Sequence, residues 1–203
     1  MVQAGTLFGY LAAFVTVLLA IAVGDMAVSL HRLLRARRRI EWHPLPLVAA
    51  FIVLLVLLTN FFALWQLTQT ERMSFLELCW LLVPQVLYFL AASAVLPDEI
   101  PAKRLDLFGF YAAERRYLYT LLLLAVVAEV VDGTARLGMF DQDPQRYLTH
   151  YLPLNLVTLL SLLAMIWRRE KWVHWTALGI LLVVAYFGVL GWTVEGAAAI
   201  VPA

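Results

Sequence analysis

Apolar residues fill the chain in runs of about twenty, broken by short polar stretches, and the runs predict helices over residues 7–30, 45–67, 74–96, 117–137, 148–167 and 172–194. Each is close to the ~20 residues that a helix needs to cross a hydrocarbon layer. The breaks between them, HRLLRARRRIEW, TQTERM, PDEIPAKRLDLFGFYAAERR, MFDQDPQRY and RREK, hold most of the charge. The pattern predicts an all-α integral membrane protein, one bundle of six transmembrane helices with no separate soluble domain. Local signals agree with these boundaries. Pro44 and Pro46 suit the start of the second helix, whose first turn has no use for the donors they lack. Ser74 and Glu77 have the spacing of a capping box at the start of the third. Pro84 falls in the middle of that run, frees the carbonyl of Trp80 and predicts a kink. Asp106 is a good cap for a helix expected to lay Phe108, Tyr111 and Ala112 on the membrane surface while Lys103, Arg104, Arg115 and Arg116 meet headgroups. Asp143 and Pro144 supply a cap and first-turn proline for the fifth helix.

Composition narrows the class further. Hydrophobic residues make up 64% of the 203 and charged residues 14%, where soluble domains are near half apolar and about a quarter charged. A net charge of +1 gives no electrostatic case for nucleic acid. The single cysteine, Cys79, excludes an intrachain disulfide framework and a cysteine-based metal site.

The basic residues set an orientation. MVQAGT has no positive charge, whereas Arg32, Arg35, Arg37, Arg38 and Arg39 follow the first run, the reverse of a secretory signal, so an uncleaved first helix is expected. With the amino terminus outside, twelve of the fifteen Lys and Arg residues fall on the inner side, leaving Arg72, Arg136 and Arg146 outside. This bias predicts a multi-pass protein with both termini outside.

Against that apolar background, the polar residues within the runs are the candidates for function. Glu129 and Asp132 lie in the far half of the fourth run, and with Arg136 they share one helix face, being three and four residues apart. An ionisable group at membrane depth is a functional-site candidate, and Arg136 supplies the structural alternative. Asn60, Asn155 and Gln85 fall at membrane depth too, and Asp25 lies near the inner surface with Ser29 and Arg32 as expected partners. These six, Glu129, Asp132, Asn60, Asn155, Gln85 and Asp25, form the candidate transport pathway. Their sign favours a cation or protons as the species handled, because acidic groups lining a pathway attract cations or relay protons while the basic residues stay at the boundaries. His31, His43 and His174 fall near the inner surface but share no ligand spacing, so no metal and no cofactor is expected. No P-loop, GxSxG, HExxH or dinucleotide fingerprint is present, which leans against an enzyme. Ala12, Thr16, Ala20 and Gly24 recur every four residues, a small-residue stripe that predicts close helix packing, either within one chain or in a homo-oligomer.

The runs LFGYLAAFVTVLLAIAVGDMAVSLHRLL, NFFALWQL, SFLELCWLLVPQVLYFLAASAVLPDE and FYAAERRYLY resemble a family of small six-span bacterial integral membrane proteins of no assigned activity. The resemblance covers most of the chain and implies six spans and the bacterial cytoplasmic membrane; it carries over no functional residue. Pro84–Gln85 is similar to the Pro-Gln pair of the PQ-loop transporters, but a dipeptide transfers no function. The expected function is a small transporter or channel for a cation or protons. The alternatives are a membrane sensor or assembly subunit without transport, and a haem- or quinone-binding redox protein.

Overall fold

The computed structural model describes residues 4–63, 75–101, 104–136 and 152–190. Among these residues the chain is mostly helical, with six α-helices: α1 (Ala4–Arg35), α2 (Pro44–Ala63), α3 (Phe75–Val95), α4 (Leu107–Arg136), α5 (Leu152–Trp167) and α6 (Lys171–Leu190). A 3-10 turn (Arg37–Arg39) follows α1. Two short strands, β1 (Ile40–Glu41) and β2 (Leu105–Asp106), pair in parallel, with Ile40 opposite Leu105 and Glu41 opposite Asp106. The apolar pattern did not predict them.

Several boundaries have visible causes. The second helix begins at Pro44, as its prolines require, and His43 Nδ1 accepts a hydrogen bond from Leu45 N at 3.3 Å, satisfying a first-turn donor. Asp106 caps α4: its Oδ1 accepts from Phe108 N at 2.9 Å. Gly109 makes room for that cap, since a Cβ there would lie 2.6 Å from Asp106 Oδ2. Pro84 lies inside α3, as expected. The capping partner Ser74, the cap Asp143–Pro144 and the side chain of Arg136 lie outside the described residues.

One expectation fails. The segment expected to lie on the membrane surface and the run expected to cross it form a single 30-residue helix, α4. Tyr111 and Arg115, expected at headgroups, are buried in the protein. The reason is tertiary: both side chains hydrogen-bond to α5, α6 or the turn joining them, as described below.

The helices pack in the cyclic order α3, α4, α5, α6, α2 and back to α3, with α1 laid outside against α3 and α2. The core is continuous, and Tyr88, Tyr119, Leu57, Leu118, Leu162, Met165 and Leu178 are among its most buried side chains. The outer surface is apolar too. Phe14, Val17 and Ile21 of α1, Phe51 of α2, Leu124 and Val131 of α4, Leu160 of α5 and Val183 of α6 all face outward. Two described stretches, Ala12–Arg35 and Pro44–Phe62, are long and apolar enough to cross a membrane, with mean hydropathies of 2.2 and 2.6. Cys79–Val95, Leu152–Trp167 and Lys171–Tyr186 are shorter apolar helices.

Candidate functional site

Three of the six candidate pathway residues meet where α2, α3 and α4 converge. Asn60, on the last turn of α2, donates through Nδ2 to the Val56 carbonyl at 3.1 Å. A carbonyl only accepts, so this bond fixes which way the amide faces. Asn60 Oδ1 therefore points toward α3, where it accepts from Gln85 Nε2 at 3.2 Å. Gln85 and Tyr88, three residues apart, share one face of α3. Across from them the Glu129 carboxyl of α4 hydrogen-bonds to the side chains of Tyr88 and Asn60, with Asp132 near enough for its charge to act on it.

Gln85 is 4% exposed, and among the described residues its Oε1 has no hydrogen-bond partner. Leaving a buried acceptor unsatisfied costs about 1–3 kcal/mol. The Asn60 bond dictates that Nε2 is the engaged atom, because rotating the Gln85 amide would set Oε1 against Asn60 Oδ1, two acceptors face to face, and leave Nε2 an orphan donor. The site thus combines a partly buried carboxyl, a phenol, a fully engaged amide and a free amide oxygen. Such a group of oxygens can bind a proton or a small, largely dehydrated cation.

The remaining candidates lie elsewhere. Asp25 is half-buried on α1, and its expected partners are engaged with another residue: Ser29 Oγ donates to Asp98 Oδ1 at 3.1 Å and Arg32 to the Asp98 carbonyl at 2.7 Å. Asn155 is half-buried on α5, outside the hydrogen bonds of the cluster. Its neighbours Thr158 and Ser161 bond back to their own helix, to Leu154 O at 2.9 Å and Val157 O at 2.8 Å. Tyr88 was not foreseen. The available signal was a mid-run hydroxyl one turn from Gln85, which must find a partner once buried.

A second polar network, also unforeseen, occupies the basic end of the bundle. His174 Nε2 lies 3.1 Å from the Arg168 carbonyl and Nδ1 lies 2.8 Å from the Tyr111 hydroxyl, which lies 2.7 Å from the Tyr119 hydroxyl. Because the carbonyl only accepts, Nε2 carries the proton, Nδ1 accepts from Tyr111, and Tyr111 accepts from Tyr119. Arg115 donates to the carbonyls of Met165 and Arg168, closing the carboxyl end of α5. Burial pushes the Tyr111 phenol up to about 12. Burial, then the neighbouring Arg169 and Arg116 charges, lowers the Arg115 guanidinium from its ordinary value. With both ring nitrogens engaged, His174 has none left for a metal. Among the described residues no group of three or more His, Cys, Asp or Glu side chains is placed to hold one.

Compared with known protein families, curated proteins and solved structures, the chain matches none.

Proposed function

We propose that the chain is a six-span bundle in the bacterial cytoplasmic membrane, with both termini outside, and that it moves protons or a small cation through the site formed by Glu129, Asn60, Gln85 and Tyr88. The observation that carries this reading is the Gln85 Oε1 left unsatisfied among the described residues, joined through Asn60 to a partly buried carboxyl. A polar group sequestered in this way is retained at a cost, and a proton or cation held against Glu129 supplies a positive charge that Tyr88, Asn60 and Gln85 do not. Asp132, one turn along, provides a second carboxyl for relay. The membrane setting draws support from the apolar outer surface and from exposed aromatic residues at the run boundaries. Trp42, Tyr117, Trp167 and Trp172 flank the basic segments, and Phe61 and Phe62 lie toward the other end of α2.

The test is flux in liposomes containing the purified protein. Glu129→Gln and Asp132→Asn, singly and together, should abolish proton or cation flux while leaving the protein folded; unchanged flux in the folded double variant ends the reading. Topology is tested separately. In a Cys79→Ser background, cysteines at Gln69, Gln142 and Gly196 should label from outside sealed cells, and cysteines at Arg37 and Lys103 should be protected. Labelling of Gln142 from the inside alone contradicts the orientation.

A partner of the same kind is also part of the proposal. Thr16, Ala20 and Gly24 face outward, Ala12 is half-buried, and a Cβ on Gly24 would meet nothing within 4 Å. Within the chain α1 instead buries Val15, Leu19, Ala22, Met26 and Leu33. The stripe thus remains free to pack against a second copy in a homo-oligomer.

A further inference from the structure

The arginines after α1 do more in three dimensions than a count of inner charges requires. Orientation in a membrane depends on how many basic residues lie on one side, and it is indifferent to whether they converge. Here they do. Arg32 and Arg35 on the last turns of α1, and Arg38 and Arg39 on the 3-10 turn that follows, line one cleft of about 510 Å³ together with Ala36 and Ile100. The pairing of β1 with β2 ties the chain just after the turn to the segment after Ile100, so the two walls are held together. Among the described residues no carboxylate lines the cleft. Asp98, the acid nearest in the hydrogen-bond network, accepts from Ser29 through its carboxylate and gives Arg32 only its backbone carbonyl, which fixes that guanidinium without neutralising it. Arg37, from the same run, is absent from the cleft lining, and its carbonyl accepts from Trp42 Nε1 at 3.4 Å.

Four guanidiniums in one concavity repel one another and focus a positive potential into it. Their planar forks match the oxygens of phosphate, which they grip through paired N–H donors in a way lysine does not. We infer that this cleft binds a phosphate-bearing anion of two or more negative charges. The anion is either the headgroup of an anionic lipid or a free polyphosphate. The inference is independent of the Glu129 site, because none of the cleft residues belongs to it.

The experiment uses the full chain purified in a detergent with a neutral headgroup. Binding is measured by calorimetric titration with inorganic pyrophosphate, and in parallel by thermal unfolding in nanodiscs of phosphatidylcholine with or without cardiolipin. Two variants remove equal charge: Arg35→Gln with Arg38→Gln inside the cleft, and Arg37→Gln with Arg116→Gln outside it. Saturable pyrophosphate binding that weakens by about tenfold or more in the cleft variant, but by less than about twofold in the control, identifies a free-phosphate site. Stabilisation by cardiolipin that the cleft variant loses and the control keeps, without pyrophosphate binding, identifies a lipid-headgroup site. Equal losses in the two variants reduce the effect to general charge and overturn the inference, as does the absence of any response to either probe. If the double cleft variant does not fold, Arg38→Gln and Arg39→Gln tested singly carry the same comparison.

Discussion

The two polar networks differ in how completely they are satisfied. Around His174 every group is used: the imidazole has a donor role and an acceptor role, both tyrosine hydroxyls are assigned, and the Arg168 carbonyl uses both lone pairs on Arg115 and His174. Around Glu129 one buried oxygen, that of Gln85, has no donor among the described residues. A saturated network gains nothing by binding a further ion, and its natural role is to hold α4, α6 and the α5–α6 turn in register. An unsaturated one keeps a place for what the fold itself does not provide. The contrast therefore separates a staple from the proposed site, although both consist of tyrosine, an ionisable side chain and hydrogen bonds.

The largest expected effect tests the open network. Replacing Glu129 and Asp132 by their amides removes the charges a moving cation needs, so transport should fall to the level of empty liposomes while the melting temperature changes by a few degrees at most. A large loss of stability with flux intact would make the Glu129 network a staple as well and dissolve the comparison. Next in size is Tyr111→Phe. It removes the donor to His174 Nδ1 and the acceptor for Tyr119, leaving two buried groups unsatisfied at a cost of about 1–3 kcal/mol each. Thermal unfolding should record that loss, and transport per folded molecule should be unchanged. Gln85→Leu sharpens the contrast from the other side: it removes the orphan oxygen but also the donor to Asn60 Oδ1, so the two effects on stability oppose each other, to within about 1 kcal/mol, while transport is abolished. A folded Gln85→Leu protein that still transports removes the Gln85 oxygen from the site.

Smaller effects follow. Tyr111 holds its proton more tightly when folded, with its phenol moved from 10.0 to about 12 by burial. Its contribution to stability is complete below pH 10 and is lost as the pH rises from there toward 12. Alkaline titration monitored by circular dichroism should show this loss, and Tyr111→Phe should flatten it. The smallest effect is on association. Leucines at Ala20 and Gly24 should loosen an oligomer packed through α1 without changing the fold. A wild-type particle that is monomeric by light scattering in several mild detergents removes that packing.

The legible parts of the molecule were those whose cause is local. Pro44 opens α2 and Asp106 caps α4 because first-turn donors impose the same demands in any tertiary setting. Asn60, Gln85 and Glu129 were legible for another reason: a polar residue within an apolar run must be used, whatever its partner. Which partner it has is a matter of packing. Asp25 illustrates the limit, since Ser29 and Arg32 lie at helical spacing from it and yet turn to Asp98, some seventy positions away in sequence. Tyr111 and Arg115 were misread because aromatic and basic residues beside an apolar run look the same whether they anchor to headgroups or close the end of a neighbouring helix. The orphan oxygen of Gln85 was invisible from sequence, because satisfaction is a property of the assembled set of neighbours.

Helix α4 runs unbroken from the Arg115 contacts to the Glu129 carboxyl, a separation of fourteen residues or about 20 Å along its axis. A stiff rod clamped at one end swings through its greatest arc at the other. The basic end, gripped by the carbonyls of α5 and the following turn, is a fulcrum, and a tilt of α4 too small to break that grip displaces Glu129 most. The leverage is built into the placement of the clamp, so shortening the arm, by a glycine pair at Ala125 and Val126, should slacken the Glu129 end while the His174 end keeps its melting behaviour.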